Sequence, residues 1–161
     1  GNHINKVILS TTTTPDPNQV ERYQQQLDMI MTAPQDLVRE AAKTQMYSMI
    51  NPPEAEAKFW KAYLDELYTD RLNKDDLIST YRCIVDYMTN YQFHADDLKD
   101  WHGDILILDS DDDKVFDTSA RENVNAIYPQ AHSHTFTHAG HSPASSQRDI
   151  YFEIVRKFLH E

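Results

Sequence analysis

The chain has 161 residues, which is enough for one domain with its own hydrophobic core. Its 15 Lys and Arg residues against 26 Asp and Glu residues give a formal net charge of -11. A chain this acidic repels nucleic-acid phosphates and anionic membrane surfaces, so we expect neither among its partners. No apolar run approaches the ~20 residues that a membrane-spanning helix needs.

The low glycine content excludes a large class of cofactor-binding proteins. Only three glycines are present, whereas average usage near 7% gives roughly eleven in a chain of this length. Nucleotide-binding loops need several glycines at fixed spacing, because the backbone must approach the phosphates closely. We therefore predict that the chain uses no nucleotide, and the sequence indicates no other cofactor.

The single cysteine, Cys83, cannot form a disulfide within the chain. Its presence fits a reducing compartment, and we therefore expect a cytoplasmic protein. Because Cys83 lies in a helical pattern, we also expect it to be a small buried side chain rather than a reactive thiol.

The first half of the chain predicts one strand followed by four helices. The short apolar run Lys6–Ser10 is typical of a buried parallel strand. Apolar residues then recur every three or four positions, which predicts amphipathic helices over about 16–31, 32–49, 51–67 and 75–88. Six aromatic residues of this region fit either a substrate pocket or a helical core, and their spacing favours the core: Trp60, Tyr63, Tyr81, Tyr87, Tyr91 and Phe93.

In the second half, the unbroken apolar block Ile105–Leu108 predicts a second buried strand that runs into the acidic segment Asp109–Asp113. A helix is predicted over 118–128, a third strand over 131–137 and a last helix from Pro143. One face of that last helix is predicted to carry Ile150, Ile154, Val155, Phe158 and Leu159. This order of elements is typical of an α/β fold, with about three parallel strands flanked by helices and a four-helix lid inserted after the first strand.

Titratable residues follow two of the predicted strands at their carboxyl ends, where open α/β sheets collect their functional groups. The acidic segment Asp109–Asp113 follows the second strand, and His138-Ala139-Gly140-His141 follows the third. A carboxylate that orients a histidine forms one half of a nucleophilic triad, because it fixes the imidazole tautomer and stabilises the imidazolium. The third member of such a triad, the nucleophile, is missing from this pattern.

From Asp104 to its end, the chain resembles the C-terminal part of the α/β-hydrolase superfamily. The segment 105–117 is similar to the family's strand followed by a Gly-x-x-Asp-x-hydrophobic-hydrophobic-Pro turn, and 138–143 is similar to its Gly-x-Gly-His segment. The resemblance implies that Asp113 is the triad acid and that His141 is the triad histidine. It also implies a serine hydrolase whose intact form acts on a small-molecule carboxylic ester or amide.

Two departures from the family pattern leave the register of the acid open. Ser110 stands where the family has Gly, and Asp117 stands where it has Pro. A slip of one position makes Asp112, rather than Asp113, the acid. Both alternatives keep His141 as the base.

The resemblance further implies a division of the chain and an absent nucleophile. Residues 1–15 become the first core strand, 16–95 a helical lid and 96–161 the C-terminal part of the core. The family carries its serine on a Gly-x-Ser-x-Gly elbow upstream of the first of these strands, and we expect that part to be missing. Ser142 comes closest to an elbow, but the Pro that follows it has no N–H for an oxyanion. We therefore expect the chain to be inactive alone, and to self-associate or pair with the missing N-terminal segment.

Three other interpretations are weighed against this one. Asp109, Asp111 and Asp113 match the first ligands of a calcium loop, but Lys114 stands where Gly is needed and Ala120 where Glu belongs. A zinc site is the second interpretation, although its four histidines are split between a strand and a loop: His132, His134, His138 and His141. We predict no metal. The third is a non-catalytic binding or assembly module, in which the helices bind a partner.

Overall fold

Three parallel strands form an open sheet in the computed structural model, which describes residues 4–160. Strand β1 is Lys6–Ser10, β2 is Asp104–Ser110 and β3 is His132–Phe136. The strand order is β1-β2-β3, with β2 hydrogen-bonded to both neighbours. The predicted α/β fold with about three parallel strands is therefore confirmed. Residues 1–3 of the predicted first segment lie outside the described part of the chain.

The described residues also form seven α-helices in the predicted order. Their bounds are α1 Val20–Thr32, α2 Gln35–Ile50, α3 Ala57–Glu66, α4 Lys74–Asn90, α5 Thr118–Ile127, α6 Pro143–Ser146 and α7 Arg148–His160. The prediction of one last helix is wrong in one respect, because the backbone of Gln147 leaves the helical region and separates α6 from α7. None of the described helices is both long and apolar enough to cross a membrane.

Side-chain caps explain where two of these helices begin. The Asn73 side chain accepts the N–H groups of Asp75 and Asp76 ahead of α4, and Asp76 in turn accepts the Asn73 N–H. Asp117, which stands where the resembled family has Pro, accepts the Ala120 N–H at 3.0 Å and caps α5. Each cap of this kind contributes about 1 kcal/mol.

The chain divides into two compact units. The sheet unit comprises the residues up to Thr14, Met49–Asn51 and the residues from Phe93 onward. The helical unit comprises Pro15–Ser48 and Pro52–Gln92. Within the helical unit, α1 packs against α4, and Leu27 of α1 and Met88 of α4 are buried.

Strand β2 is the centre of the core of the sheet unit, because alternate residues of the strand point to opposite faces. One face packs with α7, through Leu106, Leu108, Phe136, Ala139 and Phe158. The opposite face packs with α5, through Ile105, Ile107 and Val124. Burial of each large apolar side chain stabilises the fold by about 1.5 to 3 kcal/mol. This packing fixes the carboxyl ends of β2 and β3 beside each other.

Several predicted core positions are wrong, for geometric reasons. Ile150 and Leu159 of α7 are 50% and 52% exposed, because each lies about 90° around the helix from the middle of its buried face. Cys83 is exposed rather than buried, since it lies about 130° from the middle of the apolar face of α4. Of the six aromatic residues assigned to the core, three are exposed: Tyr63, Tyr91 and Phe93.

Candidate active site

A buried carboxylate and a histidine meet where β2 and β3 end. Asp113 follows β2 by three residues, His141 follows β3 by five, and His141 Nδ1 lies 2.9 Å from Asp113 Oδ2. The Asp113 side chain is 2% exposed and that of His141 is 21% exposed. Because an ionised carboxylate only accepts hydrogen bonds, Nδ1 is the donor in this contact, and in the neutral imidazole Nε2 is then the acceptor.

The second oxygen of Asp113 is held by the backbone. Oδ1 accepts the N–H groups of Val115 at 2.7 Å and Phe116 at 3.2 Å. Burial acts to raise the pKa of Asp113, but the hydrogen bonds from His141 and from these two N–H groups prevail and hold its pKa below the ordinary value. Asp113 is therefore a carboxylate at neutral pH. The Phe116 ring packs edge-on against His141, with centroids 5.2 Å apart.

Asp112, the alternative candidate for the acid, bonds elsewhere. Its Oδ1 accepts the Ser110 hydroxyl at 2.8 Å and the Gly140 N–H at 2.8 Å. Burial acts to raise the pKa of Asp112, but these two hydrogen bonds are among the interactions that lower it below the ordinary value. The structure thus brings Asp113, and not Asp112, to the His141 ring.

The loop before His141 has a demanding backbone. His138 and Gly140 have φ angles of 56° and 63°, in the left-handed region that favours glycine. A Cβ on Gly140 would lie 3.0 Å from the Asn51 Cβ and 3.3 Å from the Met49 carbonyl oxygen. That same Met49 oxygen accepts the His141 N–H at 3.1 Å, so the end of α2 fixes the histidine backbone.

The other residues singled out in the sequence do not join this pair. His132 is exposed on β3, and the His134 ring packs edge-on against Phe136. The four histidines of the zinc interpretation do not come together within residues 4–160. The group there whose ligand atoms lie within 4.8 Å of one another is Asp111, Asp112 and His138.

Sequence reasoning missed the roles of the residues just before Asp113. Ser110 was recognisable only as a departure from a family pattern, and nothing in the spacing indicates its hydrogen bonds to Asp112 and to the Ala139 N–H. The contact of Ser110 with Ala139 and that of Asp112 with Gly140 join residues 29 and 28 positions apart, which the pairing of β2 with β3 brings together.

Comparison with known proteins identifies the fold. No protein-family model matches the sequence, and no curated protein matches it. Several solved structures are similar to the chain. A hydrolase from Pseudomonas aeruginosa has 14% identity and a TM-score of 0.71, and the match covers 98% of this chain and 56% of the hydrolase. An α/β-hydrolase from a Medee basin deep-sea metagenome library has 14% identity and a TM-score of 0.69, covering 98% and 57%. An esterase from Exiguobacterium antarcticum has 13% identity and a TM-score of 0.68, covering 99% and 59%.

The matched region takes in the sheet and the site loops, since nearly the whole chain is covered. The chain spans a little more than half the length of these structures, in agreement with the resemblance to one part of the family. The chain has the α/β-hydrolase fold.

Proposed function

We propose that the chain supplies the acid and the histidine of a serine-hydrolase triad that cleaves a carboxylic ester or amide. The observation that carries the proposal is the hydrogen bond between His141 Nδ1 and the buried Asp113 carboxylate, at the carboxyl ends of neighbouring strands. It leaves Nε2 as the acceptor that a general base needs. The fold supports the same reaction class, since structural neighbours are named as an esterase and hydrolases.

In the proposed reaction, His141 Nε2 takes the proton of the serine hydroxyl while the serine oxygen attacks the carbonyl carbon. Asp113 stabilises the resulting imidazolium, which gives its proton to the leaving alcohol or amine as the scissile bond breaks. Water then attacks the acyl carbon while His141 takes a proton from the water. The bond between the acyl carbon and the serine oxygen breaks as His141 returns the proton to that oxygen, and the carboxylic acid is released. Asp113 stays ionised throughout.

We place the serine and the oxyanion-stabilising N–H groups on a complementary polypeptide segment. The three glycines, Gly1, Gly103 and Gly140, do not frame a Gly-x-Ser-x-Gly elbow anywhere in the sequence. Ser142 is a poor substitute, because Pro143 follows it and offers no N–H to an oxyanion. The chain by itself is therefore proposed to lack hydrolase activity.

The outer edge of β1 is the surface proposed to receive that segment. Within residues 4–160, β1 pairs with β2 on one side and with no strand on the other. Its apolar run Val7–Leu9 has neither Pro nor charge to protect the unpaired N–H and C=O groups. An apolar pocket borders this edge and is lined by Ile4, Val7, Leu9, Leu98, Trp101, Ile105 and Tyr128. Without the segment, we expect copies of the chain to associate through the same edge.

A cytoplasmic location is part of the proposal. Cys83 is a free, exposed thiol, which survives best in a reducing compartment. Fractionation of cells that express the tagged protein tests this, and recovery from an oxidising compartment would contradict it.

The test of the proposed function uses the complete reading frame that encodes the chain. We expect His141→Ala to lower kcat for nitrophenyl acetate by about 10⁶-fold. A fluorophosphonate probe is expected to label a serine outside the 161 residues. His160→Ala, at the exposed end of α7, is the matched control and is expected to keep wild-type activity. Equal activity of His141→Ala and wild type would refute the proposal.

The 161-residue chain alone provides a second comparison. We expect it to hydrolyse nitrophenyl acetate no faster than its own His141→Ala variant, because a histidine beside a carboxylate adds little without a nucleophile and an oxyanion hole. Fluorophosphonate labelling of Ser142 would show that the nucleophile lies within the chain after all.

A further inference from the structure

The three residues before His141 each donate their backbone N–H to a side chain. The three side chains that accept belong to the three residues before Asp113. The pairs are His138 N–H with Asp111 Oδ1 at 2.9 Å, Ala139 N–H with Ser110 Oγ at 3.2 Å and Gly140 N–H with Asp112 Oδ1 at 2.8 Å. The residues that follow in the two loops are Asp113 and His141, whose side chains are hydrogen-bonded to each other. We call Ser110, Asp111 and Asp112 the loop clamp.

We propose that the loop clamp positions His141, by holding the backbone of residues 138–140 so that the imidazole meets Asp113. The clamp residues act through this backbone, because their side chains bond the N–H groups of residues 138–140 while the His141 ring bonds Asp113. The inference deepens the proposed function and rests on it, because positioning has a catalytic meaning only if His141 is the base.

Burial is the first reason for assigning this role to side chains. Ala139 is fully buried and Gly140 is buried, so water has little access to their N–H groups. A buried N–H without a partner destabilises the state that contains it, and most such groups are therefore bonded within the protein. Strands cannot provide these partners, because β3 ends at Phe136. Ser110 and Asp112 are the acceptors that the fold supplies instead.

Backbone conformation is the second reason. The left-handed φ of His138 is unfavourable for a residue with a side chain, and Gly140 loses conformational entropy when it is held at one φ. The loop therefore needs contacts with other segments to hold one conformation. Asp111 binds the N–H of the first of these residues and Asp112 binds that of the second. The two carboxylates therefore hold the two residues of the loop that have a left-handed backbone.

Ser110 links the clamp together. Its side chain is completely buried, its O–H donates to Asp112 Oδ1, and its oxygen accepts the Ala139 N–H. The hydroxyl orients the Asp112 carboxylate that holds Gly140, so both contacts depend on it. Removal of the hydroxyl leaves the Ala139 N–H without its acceptor and takes one of two donors from Asp112 Oδ1, whereas an Asn at position 112 still presents an oxygen that accepts.

The test is NMR of the His141 ring in the 161-residue chain, labelled with ¹⁵N in its histidines. In the wild-type chain we expect the Nδ1–H tautomer and a ring proton that exchanges slowly with water. Ser110→Ala and Asp112→Ala are expected to give mixed tautomers and a faster-exchanging proton, while Asp112→Asn restores the wild-type signals. Lys114→Ala, an exposed neighbour in the same loop, is the matched control.

Three outcomes separate the possibilities. Wild-type tautomer and exchange in a folded Asp112→Ala or Ser110→Ala chain would overturn the inference, even if the melting temperature falls. If both of these variants fail to fold, Asp111→Ala decides in the same way, because Asp111 is exposed and binds only at the start of the loop. Asp113→Asn is the reference for a lost ring contact, and a wild-type tautomer in that variant would count against the proposed function instead.

The complete reading frame gives a second readout. A histidine displaced by about 1 Å is expected to lower kcat by about 10²-fold. Asp112→Ala is expected to show this loss with KM little changed, since Asp112 acts on the position of the base through the Gly140 N–H. An unchanged kcat would contradict the positioning role.

Discussion

Gly140 and Asn51 lie so close that a Cβ on Gly140 would approach the Cβ of Asn51 to 3.0 Å. Gly140 also has a φ of 63°, at which a Cβ is intrinsically unfavourable. Gly140 directly precedes His141, and Asn51 follows Met49 by two residues. The His141 N–H donates to the Met49 carbonyl oxygen, so this close approach lies beside the contact that holds the histidine backbone. The glycine is thus required for conformation and for space.

We therefore predict that Gly140→Ala lowers the free energy of unfolding by about 1 to 2 kcal/mol. Urea denaturation of the chain measures this. Asn51 itself has a positive φ of 45°, so Asn51→Gly both suits the backbone and removes the opposing Cβ. The double variant is expected to lose less stability than the two single effects add up to. Strict additivity would show that contact with Asn51 plays no part.

Stability is predicted to depend on the ionisation of Asp113. Its folded-state pKa is lowered, so it contributes stability that is present above the unfolded pKa of about 3.9 and is lost as pH falls through the lower folded value. The difference in unfolding free energy between wild type and Asp113→Asn is therefore expected to be constant above about pH 5 and to shrink below about pH 4. Urea titrations across this range measure it, and a difference that grows in acid would contradict the assignment.

The free edge of β1 is predicted to drive association of the isolated chain. Light scattering is expected to give a mass above the 18.8 kDa of one chain, and Val7→Lys, which places a charge on the edge strand, is expected to lower it. Leu37→Lys is the matched control, since Leu37 is 65% exposed on α2 of the helical unit. A monodisperse single chain with a cooperative thermal transition would mean that the edge needs no partner.

The strands of the sheet could be predicted from the sequence, because unbroken apolar runs are local signals. The assignment of an acid partner to His141 came from the family resemblance, which left both Asp112 and Asp113 open, and the hydrogen bond of Asp113 to the ring is a feature of the folded structure. Strand β2 can be predicted from its own apolar residues, without knowledge of contacts with distant segments. The break between α6 and α7 at Gln147 has no comparable local signal, since neither Pro nor Gly stands there.

Other features depend on contacts between distant segments and could not be predicted. Ser110 reads as a departure from a Gly, yet the fold uses its hydroxyl to join Asp112 to the Ala139 N–H. The exposure of Cys83 depends on which side of α4 other residues cover. The apolar residues next to Cys83 in the sequence therefore led to a wrong prediction of burial. Helical periodicity shows which direction the apolar face of a helix points but not how wide its buried part is. Residues at the margin of that face, such as Ile150, are therefore wrongly assigned to the core.

The proposed pairing of Asp113 with His141 is tested most directly by kcat in the complete reading frame with Asp113→Asn. An Asn at this position accepts fewer hydrogen bonds and carries no charge, so His141 loses both its tautomer and the stabilisation of its imidazolium. We expect a fall in kcat of about 10⁴-fold for an ester substrate, with KM little changed, and wild-type kcat in the exposed-residue control Lys114→Ala. A kcat for Asp113→Asn within a few-fold of wild type would contradict the central claim that Asp113 and His141 act together as the acid and base of a hydrolase.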